Sequence, residues 1–434
     1  MEKEGLTPVQ IQRFEGDYTR FLQGRSGSIS PWILEESIGP VGAIPSLSEL
    51  VGADANADAE ILSKAVVLKL NGGLGTTMGL QGPKGVIPVK NGLSFLELAV
   101  RQLEVLGQRS GCRVPILLMN SYSTEGPSEE LLSKLQLQQQ IPTSFLQSKV
   151  PKIDAATNLP VDWPANPALE WCPPGHGEIY SALTGSGLVE RLLECGYRYL
   201  FVSNVDNLGA TLSLPILKYF AERNLDFLME VTDRTEEDRK GGHLARCATT
   251  GRLLLRESGQ CSPSEKEAFQ DISRYAYFNT NNLWLKLSAI PTVASKSLPL
   301  IENRKTVDPT NSSSPAVYQL ESAMGAAISV FDSSEAIRVD RTRFAPVKSS
   351  PDFLKVSSNL FELNDEFGLD FRGADPACPR LDLDSRYYSK LPDLLERFPH
   401  SADLLHCDSL KIRGDHAFCS EMPVFTGFVE IGEP

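Results

Sequence analysis

One segment limits what this chain can fold into more than any other. Ala65-Val66-Val67-Leu68-Lys69-Leu70 is a short, β-branched, apolar run. It passes directly into Asn71-Gly72-Gly73-Leu74-Gly75-Thr76-Thr77-Met78-Gly79-Leu80-Gln81-Gly82-Pro83-Lys84, which has five glycines within eleven residues. A continuous apolar run that stops at a turn is how a buried parallel strand reads. Glycine permits positive φ and close backbone approach, so the loop can turn its N–H groups toward phosphate oxygens. Two nucleotide fingerprints do not fit. G-x-G-x-x-G would need glycine at Met78, and Gly79 comes one residue late; the P-loop needs glycine before its lysine, and Pro83 stands there with Gly85 after Lys84. The loop therefore reads as a phosphate loop of a third kind, with Lys84 as a point charge. The plain alternative is a Gly-rich surface turn.

Further strand-like runs alternate with helical patterns. Val114 to Met119 follows an apolar helical spacing over Leu96–Leu106. Tyr199-Leu200-Phe201-Val202-Ser203 follows a helical Gly187–Cys195, and Phe227 to Val231 follows Leu214–Arg223. This alternation predicts an α/β fold with a mostly parallel central sheet. Polar segments sit where these strands end: Asn71 onward, Asn120-Ser121, Asn204-Val205-Asp206 and Thr232-Asp233. Ligands bind at that edge in open α/β sheets. Residues 1–60 read as a helical segment, opened by Pro8 and carrying Phe14 and Phe21, and then as loop. Residues 61–350 read as the main domain. From about 351 the texture changes to short alternating runs, Leu354-Lys355-Val356, Leu381-Asp382-Leu383-Asp384, Leu410-Lys411-Ile412-Arg413 and Phe428-Val429-Glu430-Ile431, which predict a small all-β domain over 351–434. Ser312-Ser313-Ser314-Pro315 reads as a surface loop.

The 434 residues carry 42 Lys and Arg against 55 Asp and Glu, a formal net charge of −13. So acidic a surface repels phosphate polymers, and nucleic-acid binding is not expected. Any phosphorylated ligand must be held by a few local cations, helix N-termini or a metal. There is no long apolar run for a membrane span and no signal-peptide pattern at the start. Eight scattered cysteines without a Cys-x-x-Cys pair read as reduced thiols, and the expected location is cytoplasmic.

Several polar residues make chemical sense at the ligand edge. Asp206 can hold Mg²⁺, which usually takes one or two carboxylates plus phosphate oxygens. The stiff Pro173-Pro174 dipeptide presents Gly175 and His176, a backbone amide and an imidazole. Asn279, Asn281 and Asn282 follow Tyr275, Tyr277 and Phe278, a pairing of amides and aromatic faces that suits a sugar. Glu321 could accept sugar hydroxyls, or lie on a helix surface. Each has a bland reading as a turn or capping residue, and Lys348 alone says little.

Taken in order, these motifs resemble one family. The Gly-rich loop, Phe145-Leu146-Gln147-Ser148-Lys149, Trp171-Cys172-Pro173-Pro174-Gly175-His176-Gly177, Ser203-Asn204-Val205-Asp206-Asn207, Lys240-Gly241-Gly242, Phe278-Asn279-Thr280-Asn281-Asn282 and Arg343-Phe344-Ala345-Pro346-Val347-Lys348 are similar to the eukaryotic-type UTP–glucose-1-phosphate uridylyltransferases. The resemblance implies a Rossmann-like nucleotidyltransferase domain and a left-handed parallel β-helix at the C-terminus. The β-helix is expected to be short, because the chain stops soon after Ile431, and the assembly to be a monomer or small homo-oligomer.

The resemblance also implies the reaction UTP + glucose 1-phosphate ⇌ UDP-glucose + pyrophosphate, with Mg²⁺ on Asp206. Catalysis then needs only positioning and charge neutralisation. Lys348 and Lys84 would be the catalytic cations. Leu70, Asn71, Gly72, Gly73, Lys84, Gln147, Gly175, Asp206 and Lys348 would bind UTP. His176, Asn204, Val205, Asp206, Asn279, Asn281 and Glu321 would bind the sugar phosphate. One departure is Gly85, where the glucose enzymes commonly have serine. Three alternatives stay open: a pyrophosphorylase for another UDP-sugar or UDP-N-acetylglucosamine, a non-catalytic nucleotide-sugar sensor, and a kinase that would release UDP.

Overall fold

A computed structural model describes residues 1–26, 32–50, 55–75, 78–80, 82–309, 311, 313–373 and 378–433, without the side chains of 55–58. Thr76, Thr77 and Gln81 of the Gly-rich loop and Ser312 lie outside the described residues. The chain forms two compact units that interleave in sequence. The first contains Met1–Leu68, Gln140–Val202 and Ser213–Val339; the second contains Lys69–Gln139, Ser203–Leu212 and Asp340–Pro434. Two of the five crossings between them fall inside strands, Ala65–Asn71 and Tyr199–Asn204.

The first unit is built on a large sheet whose spine is the ten-residue strand Tyr277–Lys286. Phe227–Asp233 pairs with it antiparallel along one edge, and Tyr199–Val202 pairs with its second half along the other. Ser334–Arg338 runs parallel beyond Phe227–Val231. Tyr199–Asn204 in turn runs parallel to Ala65–Asn71, with the Tyr199 N–H donating to the Lys64 carbonyl at 3.1 Å. All seven residues of Ala65–Asn71 are buried, which explains why that run lacks alternation. The α/β class is the expected one, and parallel pairs and the antiparallel spine share one sheet. Glu230 is fully buried in the sheet, and its carboxylate is satisfied by Asn282 Nδ2 at 3.1 Å and Trp284 Nε1 at 2.9 Å.

The expected N-terminal helix is present as Pro8–Arg25. Thr7 and Gln10 form a capping box, and proline occupies the first turn, where no N–H is needed. Its Phe14 and Phe21 pack on Val150, Ile153, Cys172 and Leu320.

The second unit takes the ends of the same two strands, where the Val205 N–H donates to the Leu70 carbonyl at 3.1 Å, and adds Ile116–Asn120. The helix Phe95–Ser110 starts at a Ser94–Glu97 capping box and stops at Gly111, whose φ of 66° is left-handed. Later in the chain, Arg380–Leu383, Asp403–Ile412 and Val424–Ile431 form a three-stranded parallel sheet. One expectation is corrected here. Leu354-Lys355-Val356 is not a strand but part of the helix Ser350–Ser357. A Ser349–Asp352 capping box and Pro351 in the first turn start that helix, and Phe353, Leu354 and Val356 are its buried positions. Three apolar-polar-apolar residues fit both periods, and the cap five residues upstream decides.

The described residues contain no disulfide among the eight cysteines. Among them no helix is long and apolar enough to cross a membrane.

Candidate active site

In the second unit the Gly-rich loop closes on itself through a Leu74–Pro83 bridge and the Gly75 N–H to Gly82 carbonyl bond. Among its described residues only Gly79 has positive φ, at 70°. Gly75 is needed for space, since a Cβ there would lie 2.4 Å from Leu80 Cδ1. Gly73 is open, with nothing within 4 Å of where its Cβ would be. The loop glycines thus serve close packing and an accessible backbone more than left-handed turns. Leu70 and Asn71 are buried, and the Asn71 amide is committed to Asn120 Oδ1 at 2.8 Å and Ser128 Oγ at 2.7 Å. A Cβ on Gly85 would lie 2.5 Å from Asn71 Oδ1, so glycine lets the Lys84 turn sit directly on that buried amide.

This turn brings Lys84 to Asp206. Lys84 Nζ lies 3.2 Å from Asp206 Oδ2 and donates to the Val347 carbonyl at 2.8 Å. Lys348 Nζ reaches the same Asp206 oxygen at 3.4 Å. The peptide before Lys348 is laid along the Asp206 loop: the Val347 N–H donates to the Asp206 carbonyl at 3.3 Å, and the Ala345 N–H donates to Asn207 Oδ1 at 3.0 Å. The structure therefore brings Lys84, Asp206 and Lys348 together. The Lys84 pair is largely shielded from water, whereas the half-exposed Lys348 pair is screened and adds little to stability. The three side chains alone carry one net positive charge, in a chain whose overall charge is −13. Asp206 Oδ1 is buried and has no hydrogen-bond partner among the described residues. A buried, unpartnered carboxylate oxygen suits a hard divalent cation, and one carboxylate with ligand phosphates is an adequate donor set for Mg²⁺. No group of three metal-ligating side chains exists among the described residues. Asn204 ends its strand half-buried, whereas the Val205 side chain is in the hydrophobic core and offers only its backbone.

Sequence reasoning missed Lys69. It is buried in the apolar strand and ties the Asp206 loop down, donating to Ser203 Oγ at 2.8 Å and the Ala210 carbonyl at 2.9 Å. A single lysine inside an otherwise apolar run was the available signal.

The remaining candidates lie in the first unit. Gly175 has φ of 82°, and a Cβ there would lie 2.6 Å from the Ser322 carbonyl oxygen. The next residue, His176, accepts the Met324 N–H on Nδ1 at 3.0 Å, so its neutral ring carries the proton on Nε2. Glu321 lies on the strand Ala316–Ser322, not on a helix, and its Cβ is 3.1 Å from that same position above Gly175. Gly175, His176 and Glu321 are thus brought together. Gln147 is buried on the segment after Ser144–Leu146. Asn279 and Asn281 lie at a β-bulge of the spine strand, where Asn281 takes φ of 61° and its N–H donates to Asn279 Oδ1 at 2.9 Å. The bulge re-aims both side chains, whereas Asn282 is spent on Glu230. Replacing Gly175 by alanine combines a forbidden conformation with a backbone clash. It is expected to cost about 1–3 kcal/mol of stability, read as a lower melting temperature.

Glu257 was also missed. It stands against the Lys240-Gly241-Gly242 motif: a Cβ on Gly242 would lie 2.5 Å from its Oε2, and the Gly242 carbonyl accepts the Asn279 N–H at 3.3 Å. Burial pushes this carboxyl up to about 7. Because the folded group binds its proton more tightly than the unfolded one, its effect is neutral at low pH. Stability is lost as pH rises from about 4.5 to about 7. The melting-temperature gain of Glu257→Gln over the parent is expected to be near zero at pH 4.5 and to grow up to pH 7 and above. A gain that does not change with pH would contradict this.

A family model described as UTP–glucose-1-phosphate uridylyltransferase matches residues 11–424. This chain belongs to that family. A probable UTP–glucose-1-phosphate uridylyltransferase of Schizosaccharomyces pombe is 38% identical over 94% of this chain and 80% of its own length. The UTP–glucose-1-phosphate uridylyltransferase of Solanum tuberosum is 39% identical over 92% and 84%. Among solved structures, a Trypanosoma brucei UDP-glucose phosphorylase superposes with a TM-score of 0.90 at 41% identity, covering 100% of this chain and 93% of that one. A Leishmania major UDP-glucose pyrophosphorylase mutant in complex with UDP-glucose gives 0.89 at 40% identity, covering 99% and 92%. The family named from the sequence motifs is thus the family found, and the large α/β sheet is the one these structures share.

Proposed function

We propose that this chain makes UDP-glucose and pyrophosphate from UTP and glucose 1-phosphate. The observation that carries the reading is the meeting of Lys84 and Lys348 on one carboxylate, Asp206, beside a glycine-rich strand-end loop. A phosphate oxygen of the sugar attacks the α-phosphorus of UTP in line with the departing pyrophosphate. The nucleophile is already an anion, so no covalent enzyme intermediate is required. What the protein must supply is alignment and positive charge.

Lys348 stabilises charge on the α-phosphate and the sugar phosphate, and Lys84 meets the β- and γ-phosphates and favours pyrophosphate departure. Asp206 would hold Mg²⁺, which would supply charge neutralisation to the phosphates. For the nucleotide we assign the backbone of Leu70, Asn71, Gly72 and Gly73, with Gln147 and Gly175 reading the uracil edge. For the sugar phosphate we assign His176, whose Nε2 proton can be donated, together with Asn204 and the Val205 backbone. Asn279, Asn281 and Glu321 take sugar hydroxyls, and Glu257 joins them on its position beside the Gly242–Asn279 bond.

Residues 61–350 carry this chemistry, with 1–60 as a supporting helical segment and 351–434 as a short left-handed parallel β-helix domain. The in-register ladders Leu381–Leu410–Val429 and Leu383–Ile412–Ile431 support that last assignment, since stacked identical positions are what successive coils produce. Reduced cysteines fit a cytoplasmic location.

One assay tests the function. UDP-glucose formation is compared across UTP, other nucleoside triphosphates and several sugar 1-phosphates, with Mg²⁺ present. UTP with glucose 1-phosphate is expected to be the preferred pair. Release of UDP in place of pyrophosphate, or preference for an N-acetylated sugar, would overturn the assignment.

A further inference from the structure

The N-terminal helix carries a guanidinium to the place where three substrate-binding segments meet. Arg13 donates from Nη1 to Ser181 Oγ at 2.8 Å and from Nη2 to Ser322 Oγ at 2.7 Å. Its Nη1 also lies 3.7 Å from Glu178 Oε2, and its Nε lies 3.9 Å from Asp17. Glu178 is 1% exposed, and its Oε1 has no hydrogen-bond partner among the described residues. Burial raises the affinity of this carboxyl for its proton, opposed first by the Arg13 charge and then by hydrogen bonding from Ser148 and Ser181, while Asp17 adds a like charge.

Two of these contacts, Glu178 and Ser322, adjoin residues assigned above to substrate, and Ser148, which bonds Glu178, adjoins a third. Ser148 follows Gln147, and Glu178 lies two residues after His176. Ser322 is the most constrained of these. Its N–H donates to the Pro174 carbonyl at 3.0 Å, and its Oγ lies 2.4 Å from where a Cβ on Gly177 would be. Two residues further on, the Met324 N–H sets the His176 tautomer. A planar fork holding two hydroxyls at fixed spacing is something a guanidinium does and an ammonium does not.

We propose that Arg13 is a positioning residue for the known family reaction: from outside the catalytic segment it sets the Pro174–Glu178 turn, and through it the ring of His176. The inference rests on the assignment of His176 and Gln147 to substrate. Displacing such a turn by about 1 Å costs catalysis heavily even though Arg13 touches no substrate.

The test separates geometry from charge. Arg13→Lys keeps the cation beside Glu178 and loses the fork. It is expected to melt within a few degrees of the parent, yet to lose at least about tenfold in kcat/KM for glucose 1-phosphate, with most of the loss in KM. Arg13→Met strands the Glu178 charge and is expected to melt lower. Adding Glu178→Gln to it restores the melting temperature but not KM. Full activity of Arg13→Lys overturns the inference, and so does recovery of KM together with stability in the double variant. Should Arg13→Met not fold, the lysine variant decides alone. If the parent protein itself makes no UDP-glucose, the functional assignment fails; if the parent is active and Arg13→Lys is unimpaired, only the positioning role fails.

Discussion

Replacing Asp206 by asparagine is expected to lower UDP-glucose formation by at least about a thousandfold, on the order of 4 kcal/mol of transition-state stabilisation. The substitution preserves shape and removes charge. In the parent, one carboxylate oxygen holds Lys84 at 3.2 Å and Lys348 at 3.4 Å. Its other oxygen is buried without a hydrogen-bond partner among the described residues. Asparagine leaves two ammonium groups facing each other with no anion between them, and it takes away the hard oxygen pair that a divalent cation prefers. Folding should survive, because the Asp206 backbone is fixed independently by the Val347 N–H and the loop is tied by Lys69. The check is steady-state turnover together with UTP binding titrated with and without Mg²⁺. The parent is expected to bind UTP more tightly with the metal and the variant to show little difference. A variant that retained a tenth of parental turnover would remove Asp206 from the chemistry.

Lys348→Ala is the second large effect. We expect turnover to fall at least about a hundredfold, by comparison with loss of one transition-state donor, while the melting temperature stays within a few degrees. The two expectations differ because the side chain is 55% exposed and its ion pair with Asp206 is long, so little of the fold depends on it. Lys84 contrasts with it. That side chain is only 14% exposed and also bonds the Val347 carbonyl at 2.8 Å. Truncating Lys84 would strand that carbonyl as well, at about 1–3 kcal/mol, so a thermal shift should accompany its loss of activity. Equal stability losses in the two variants would mean that Lys348 is a structural cation and not a free one available to phosphate.

Much of this site could be read locally. The Gly-rich loop after an apolar strand, the lysine that closes it and a carboxylate just past another strand are all signals carried within a dozen residues. Chain continuity and strand polarity are enough to put them at one sheet edge. Helix starts were equally legible where a capping residue and a proline coincide, as at Thr7-Pro8. Where the apolar run was short, as at Leu354-Lys355-Val356, local pattern misled, because strand and helix periods agree over three residues and only the upstream cap distinguishes them.

Other features depend on residues that sequence separates widely. Lys348 comes to Asp206 across 142 positions and Arg13 to Ser322 across 309. Local pattern alone marks neither: Lys348 was picked out only through the resemblance of its Arg343–Lys348 motif, and Arg13 by nothing in the sequence. Glu257 resembles any surface glutamate until Gly242 is found beneath its carboxylate.

Periodicity, glycine placement and strand-end charges act over short range and were enough for the class of fold, while the ordered motifs carried the resemblance to the family. The tertiary structure alone decided which distant cations share a carboxylate, which glycines serve space in place of torsion, and which acid sits deep enough to hold its proton near neutral pH. Those outcomes depend on distances through space and on local dielectric, which are set only when the chain has closed on itself.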